Sequence, residues 1–147
     1  MGLVAVGADA APLSPLQKLG LAAEIVLTYP RVRWLLWRRD LPVVVATLRR
    51  FPDRGADTVG ESEGDYRRRG RQLGRAASRT LSLLPADSRC LARSLVLLAL
   101  LARRRIAAQL VIAARQGPDF AAHAWVELAG VPLLDPGPRD YERLVEI

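Results

Sequence analysis

The stretch SRCLARSLVLLALLARRR at residues 88–105 decides the fold when it is read with AAHAWVEL at 121–128 and VPLLDPG at 131–137. Leu91 to Ala102 is apolar nearly all round, as a central helix packed on most sides must be. Asp87 or Ser88 can cap its start. Arg103, Arg104 and Arg105 close it at the end where the helix dipole favours positive charge. After that the period changes. Leu110 to Ala114, Ala122 to Leu128 and Val131 to Leu134 are short β-type runs, with Gln116 to Phe120 and Ala129-Gly130 as turns. A helix followed by an antiparallel meander predicts an α+β core over residues 85–147, with the central helix packed on a small sheet.

On the middle strand His123, Trp125 and Glu127 share one face, and Ala124, Val126 and Leu128 share the other. The second is the core face. The first presents an imidazole, an indole and a carboxylate. Pairing about a tight turn at Gly130 brings Asp135 toward the His123 end, so a carboxylate–imidazole hydrogen bond is expected.

Cys90 is the only cysteine of the chain and His123 the only histidine. Cysteine, histidine and aspartate stand here in the order that a thiol peptidase or acyl transferase of the papain type needs. A thiolate attacks a carbonyl, an imidazole takes and returns the proton, and a carboxylate fixes the imidazole tautomer. Cys90 falls in the first turn of its helix. Free N–H groups and a partial positive charge there favour a thiolate and can hold an oxyanion. Each residue also has a plainer reading. A lone cysteine is usually a small buried hydrophobe, a lone histidine a hydrogen-bonded structural residue, and Asp135 a turn residue before Pro136-Gly137.

Composition bounds the rest. The chain has 147 residues, half of them apolar, enough for one domain or a compact two-part domain. One cysteine excludes an intramolecular disulfide framework and fits a reducing cytoplasm. One cysteine and one histidine are too few for a zinc site without a carboxylate cluster, so no metal and no cofactor are expected. Met1 to Pro12 lacks the basic start of a signal peptide. The longest apolar run, Leu95 to Ala102, is far shorter than the ~20 residues of a membrane span. A soluble, cytoplasmic protein is expected.

The net charge of +7 is local: residues 31–79 hold 13 arginines against 6 acidic residues, while the remainder balances. This segregation marks either a solvated face or a surface for something acidic. Residues 1–84 read as a helical region. Ser14 and Pro15 start a helix in which Leu16, Leu19, Ala23, Val26 and Leu27 recur at helical spacing. Tyr29-Pro30 is expected to end it. Val32 to Arg39 is then a short basic helix with Trp34 and Trp37 on one face, a pair expected in the core, with a binding surface the other reading. A further helix runs from Asp40 to about Phe51. Phe51 to Asp65 is a loop, and Tyr66 to Leu84 is helical, weakened by Gly70 and Gly74.

The segments SRCLARSLVL (88–97), AQLVIAAR (108–115), AHAWVE (122–127) and Leu134-Asp135 resemble the lasso-peptide leader peptidases, small bacterial maturation proteases of the transglutaminase-like superfamily. The resemblance covers roughly residues 85–136. It implies a papain-like core with Cys90 as nucleophile, His123 as general base and acid, and Asp135 as orienting residue. It also brings in Arg93 and Ser94, one turn beyond Cys90, expected to serve helix packing and a local ion pair. Trp125 is expected to pack on the His123 ring, and Glu127 to pair with an arginine such as Arg93. The implied substrate is a ribosomally made precursor peptide, cut between leader and core; an ATP-dependent cyclase then uses the new core amine. Relatives rely on a leader-recognition domain of the winged-helix type. Residues 1–84 show no such pattern, so a separate recognition protein is implied, with Trp34, Trp37, Arg67, Arg68 and Arg69 as docking candidates.

Two other readings stay open at this stage. An acyl transferase or transglutaminase of the same fold would use the same triad with an amine in place of water. A non-enzymatic basic scaffold would bind nucleic acid or a membrane surface, although no nucleic-acid motif accompanies the charge.

Overall fold

The computed structural model describes residues 12–50, 62–83, 89–137 and 140–147. Four helices, α1 (Pro15–Arg38), α2 (Leu41–Arg49), α3 (Glu63–Leu81) and α4 (Arg89–Ala102), accompany four strands, β1 (Gln109–Arg115), β2 (Ala121–Leu128), β3 (Val131–Pro132) and β4 (Glu142–Glu146). The sheet is antiparallel in the order β3-β2-β1-β4. The α+β expectation is correct, including the central helix. From Ser94 to Leu101 every residue of α4 is buried. The caps expected at Asp87 or Ser88 lie outside the described residues, as does most of the loop from Phe51.

Local chemistry sets the helix starts. Ser14 and Gln17 form a reciprocal capping box ahead of Pro15, and Ser62 and Asp65 form another at the start of α3. Each satisfies two backbone donors that the first turn cannot. Pro30 does not end α1, contrary to expectation; it sits inside one continuous 24-residue helix. A proline removes one helical hydrogen bond and crowds the preceding turn. Burial of Val32 and Leu35 beyond it offsets that cost.

The apolar spacing in α1 also resolves unexpectedly. Ile25, Thr28, Val32 and Leu35 face the core, whereas Leu16, Leu19, Ala23, Val26 and Leu27 face outward. Trp34 and Trp37 are exposed as well, so the pair is surface and not core.

Three layers result. The outer helices pack on α4, and α4 packs on the sheet face made by Leu110, Ala124, Val126 and Leu128; one core cluster runs through all of them. Helices from residues 1–84 thus share their interior with the 85–147 region. At the far end, Glu24 of α1 accepts from Arg104 at 2.8 Å and from Arg103 at 3.0 Å, tying the arginines after α4 to α1. Burial alone would raise the Glu24 carboxyl, but hydrogen bonds and charge from Arg104, then Arg103, hold it below its ordinary value.

The glycines of α3 are contact points. A Cβ at Gly74 would collide with the main-chain oxygen of Leu133, and one at Gly70 would meet Leu133 Cδ1 at 2.9 Å. The helix gives up some propensity at these positions and thereby seats the segment after β3 directly on its backbone.

The fourth strand was not expected. β4 pairs with β1 on the edge away from β2, with a register shift between Ile112 and Ala113. Ile147 and Leu110 then exchange backbone hydrogen bonds of 2.9 and 2.7 Å.

Candidate active site

β2 and β3 are joined by Ala129 and Gly130, both at positive φ (49° and 74°). This two-residue turn matches the twist of the hairpin. It sets Glu127 opposite Pro132 and Leu128 opposite Val131. Leu133 N–H then donates to Val126 O at 2.8 Å. Continuing outward, the chain carries Asp135 to the level of His123, as the register argument requires.

The contact made there differs from the expected one. His123 Nε2 lies 2.8 Å from the main-chain oxygen of Asp135. The Asp135 carboxylate instead accepts from Gly137 N–H at 2.9 Å, closing a local turn. A carbonyl oxygen can only accept, so Nε2 carries the proton. Nδ1 is then left with its lone pair and is the ring's basic atom. Gly137 packs on the other side of the contact. Its φ is +73°, and a Cβ there would stand 3.1 Å from His123 Cδ2. Sequence reasoning missed this residue; a glycine two positions after an aspartate was the available sign of a turn pressed against a ring.

The imidazole is framed by aromatics. Trp125 stacks with it at 6.0 Å between centroids, and Tyr141, just before β4, meets it edge-on at 6.2 Å. Trp125 is buried and donates its indole N–H to Glu127 Oε1 at 2.8 Å. Glu127, also buried, accepts both amino groups of Arg143 on β4, at 2.8 and 3.2 Å. The arginine partner of Glu127 is therefore Arg143 and not Arg93. Bonds first to Glu146 and then to Glu127 raise the pKa of Arg143 above its ordinary value. Ala113 of β1 lies between His123 on one side and Arg143 on the other, and its small side chain keeps this row open. The row His123, Trp125, Glu127 thus lies on a sheet face backed by Val111 and Ala113, opposite to α4.

Cys90 is the second residue of α4 and is half-buried. One turn further on, the buried Ser94 donates to Ala124 O at 3.0 Å. Carbonyls of a strand alternate in direction. Val126 O already serves β3, and Ala124 O points to the same edge two residues earlier, where β3 has turned away. Ser94 fills that gap and thereby fixes the start of α4 at the His123 end of β2. Cys90 stands one turn before Ser94 on α4, and among the described residues the thiol makes no hydrogen bond to the ring. Arg93 Nε is buried without a partner among those residues.

A cleft of about 870 Å³ lined by Ala102, Arg105, Gln109 and Ala129 opens at the opposite end of α4, away from both Cys90 and His123. Among the described residues no group of three or more histidine, cysteine or carboxylate side chains is placed to hold a metal ion.

The family model of the transglutaminase-like superfamily matches residues 26–147. The chain belongs to the transglutaminase-like superfamily. The match reaches back to the middle of α1, so this domain includes the second half of α1, α2 and α3 as well as the α4–sheet unit. Members of the superfamily are usually cysteine proteases or transglutaminases. Comparison with curated proteins and with solved structures gives no match. No helix among the described residues is long and apolar enough to cross a membrane.

Proposed function

We propose that this transglutaminase-like protein is a cytoplasmic cysteine peptidase that removes the leader from a ribosomally made lasso-peptide precursor. The observation that carries the reading is the 2.8 Å contact between His123 Nε2 and Asp135 O; a carbonyl oxygen only accepts, which assigns the proton to Nε2 and leaves Nδ1 free to act as the base toward Cys90. The motifs around Cys90 and His123 supply the substrate class by resemblance.

In this reading Nδ1 takes the Cys90 proton and the thiolate attacks the scissile carbonyl. N–H groups at the start of α4 receive the oxyanion. The imidazolium returns its proton to the leaving core amine, and water, deprotonated by the same nitrogen, releases the leader acid. Contacts between catalytic groups often tighten only in the substrate complex, which suits a thiol and ring held at one end of the strand without a bond between them. Trp125 excludes water from one side of the ring. Asp135 orients the ring through its carbonyl, and Ser94 positions the helix start. A separate winged-helix recognition protein delivers the leader, with the exposed Arg68 and Arg69 of α3, beside Arg67, as its docking surface, and an ATP-dependent cyclase takes the product.

The test is to incubate precursor, recognition protein and this chain, and to weigh the products with and without an added primary amine. A peptidase gives leader acid and free core under both conditions. Leader recovered as the amide of the added amine would assign the acyl-transfer alternative instead.

A further inference from the structure

The outward side of α1 is apolar along its whole length. Leu16, Leu19 and Leu27 are 81, 68 and 73 % exposed, Val26 is 48 %, and Trp34 and Trp37 are 53 and 76 %. With Ala23 and Pro30 between them, they form one stripe diametrically opposite Ile25, Val32 and Leu35, on a helix about 36 Å long. Single exposed apolar residues are ordinary, but a continuous stripe of this size marks an interaction surface.

The charges of α1 and its C-cap are positive apart from Glu24: Arg31, Arg33 and Arg38 flank the stripe, Arg39 is the C-cap, and Lys18 lies toward α3. The only carboxylate of the helix, Glu24, is turned inward onto Arg103 and Arg104. Arg38 stands over both indoles, 5.6 Å from the Trp34 ring and 4.9 Å from Trp37, so cation and aromatics share one level.

We propose that α1 is an interfacial anchor that lays this protein on an anionic phospholipid surface. Leucines on one face, tryptophans at one end and cations at the borders are the composition of a helix lying in the plane of a bilayer. The stripe offers no hydrogen-bonding side chain except two indole N–H groups. A protein partner would need about one hydrogen bond per 100–200 Å² of interface, whereas the hydrocarbon boundary needs none. A second copy would set the arginines of α1 against each other, since the one carboxylate of the helix is turned inward onto Arg103 and Arg104. The helix lies flat and does not span. Because α4 separates α1 from the sheet, the face carrying His123 points away from the membrane and stays open to soluble peptide. The proposal stands independently of the peptidase reading.

The test is flotation of the full chain with vesicles of phosphatidylcholine alone or with one-third phosphatidylglycerol, together with tryptophan emission. Trp125 is already buried, so a blue shift reports Trp34 and Trp37. The wild type should float with the phosphatidylglycerol vesicles, shift to the blue, and bind less at high salt. Leu16→Ser with Leu27→Ser keeps every fluorophore and changes only exposed positions. It should melt at the wild-type temperature and lose at least tenfold in binding. Trp34→Ser with Trp37→Ser should lose binding likewise. Unshifted emission, or equal flotation of the leucine variant, overturns the proposal. So does a lipid-free dimer that the leucine variant dissociates, since the stripe would then be a seam between two copies.

Discussion

His123 Nε2 and the main-chain oxygen of Asp135 are 2.8 Å apart, so the backbone, and not the carboxylate, sets the tautomer of the only imidazole in the chain. That distinction changes what a substitution at Asp135 should do. Asp135→Asn keeps the carbonyl and an acceptor for Gly137 N–H, so peptidase turnover should fall by no more than about threefold. Asp135→Ala loses the turn bond, worth roughly 1 kcal/mol, and should cost about fivefold or more. His123→Ala should remove activity altogether. Steady-state rates on the precursor decide it; a loss for Asp135→Asn as deep as for His123→Ala would mean that the carboxylate itself meets the ring during turnover.

Gly137 and Gly130 have nearly the same φ, 73° and 74°, but only Gly137 has the imidazole against it. Alanine at either position carries a left-handed penalty of roughly 1–2 kcal/mol. Gly130→Ala should therefore lower the melting temperature and leave turnover unchanged. Gly137→Ala should lower both, because its Cβ displaces the ring. Equal turnover in the two variants would remove Gly137 from the account of the site.

Ser94 ties α4 to Ala124 beside His123. Ser94→Ala leaves a buried carbonyl unpaired, at about 1–3 kcal/mol. If that bond positions Cys90 against the ring, kcat should fall while KM holds. A stability loss with unchanged kcat would make Ser94 a packing residue only.

The Glu24 carboxyl is held below its ordinary value of 4.5 by Arg104 and Arg103 against the opposing effect of burial. A depressed folded pKa gives stability that is complete above the ordinary value and lost as pH falls through the lowered one. Glu24→Gln should thus destabilise by about 1–3 kcal/mol at neutral pH, and its gap from wild type should close in acid. Thermal unfolding across pH checks this; a gap that persists through the acid range would put the contribution in packing and not in charge.

The sequence made the α4–hairpin unit legible because both periods were clean and Ala129-Gly130 announced the turn. It also brought Asp135 to His123. It could not tell carboxylate from carbonyl, since register places a residue and not the atom it offers. Pro30 misled because the local cost of proline was read without the burial of Val32 and Leu35. The apolar spacing of α1 was real, but spacing cannot say which of two apolar faces meets the core. β4 was missed because its five residues are all exposed and three of them are charged, with no apolar alternation to mark a strand, and the pairing of Arg143 with Glu127 went with it. Gly70 and Gly74 read as weak helix; the reason for them is Leu133, about sixty residues away in the chain, whose side chain meets Gly70 and whose main-chain oxygen meets Gly74.

Turnover by Cys90→Ala tests the central claim most directly. With precursor and recognition protein present, the variant should release no leader beyond background, a fall of at least about a thousandfold, while its melting temperature and its binding to the recognition protein match wild type. Cleavage by Cys90→Ala at the wild-type rate would contradict the account, because no other thiol exists in the chain.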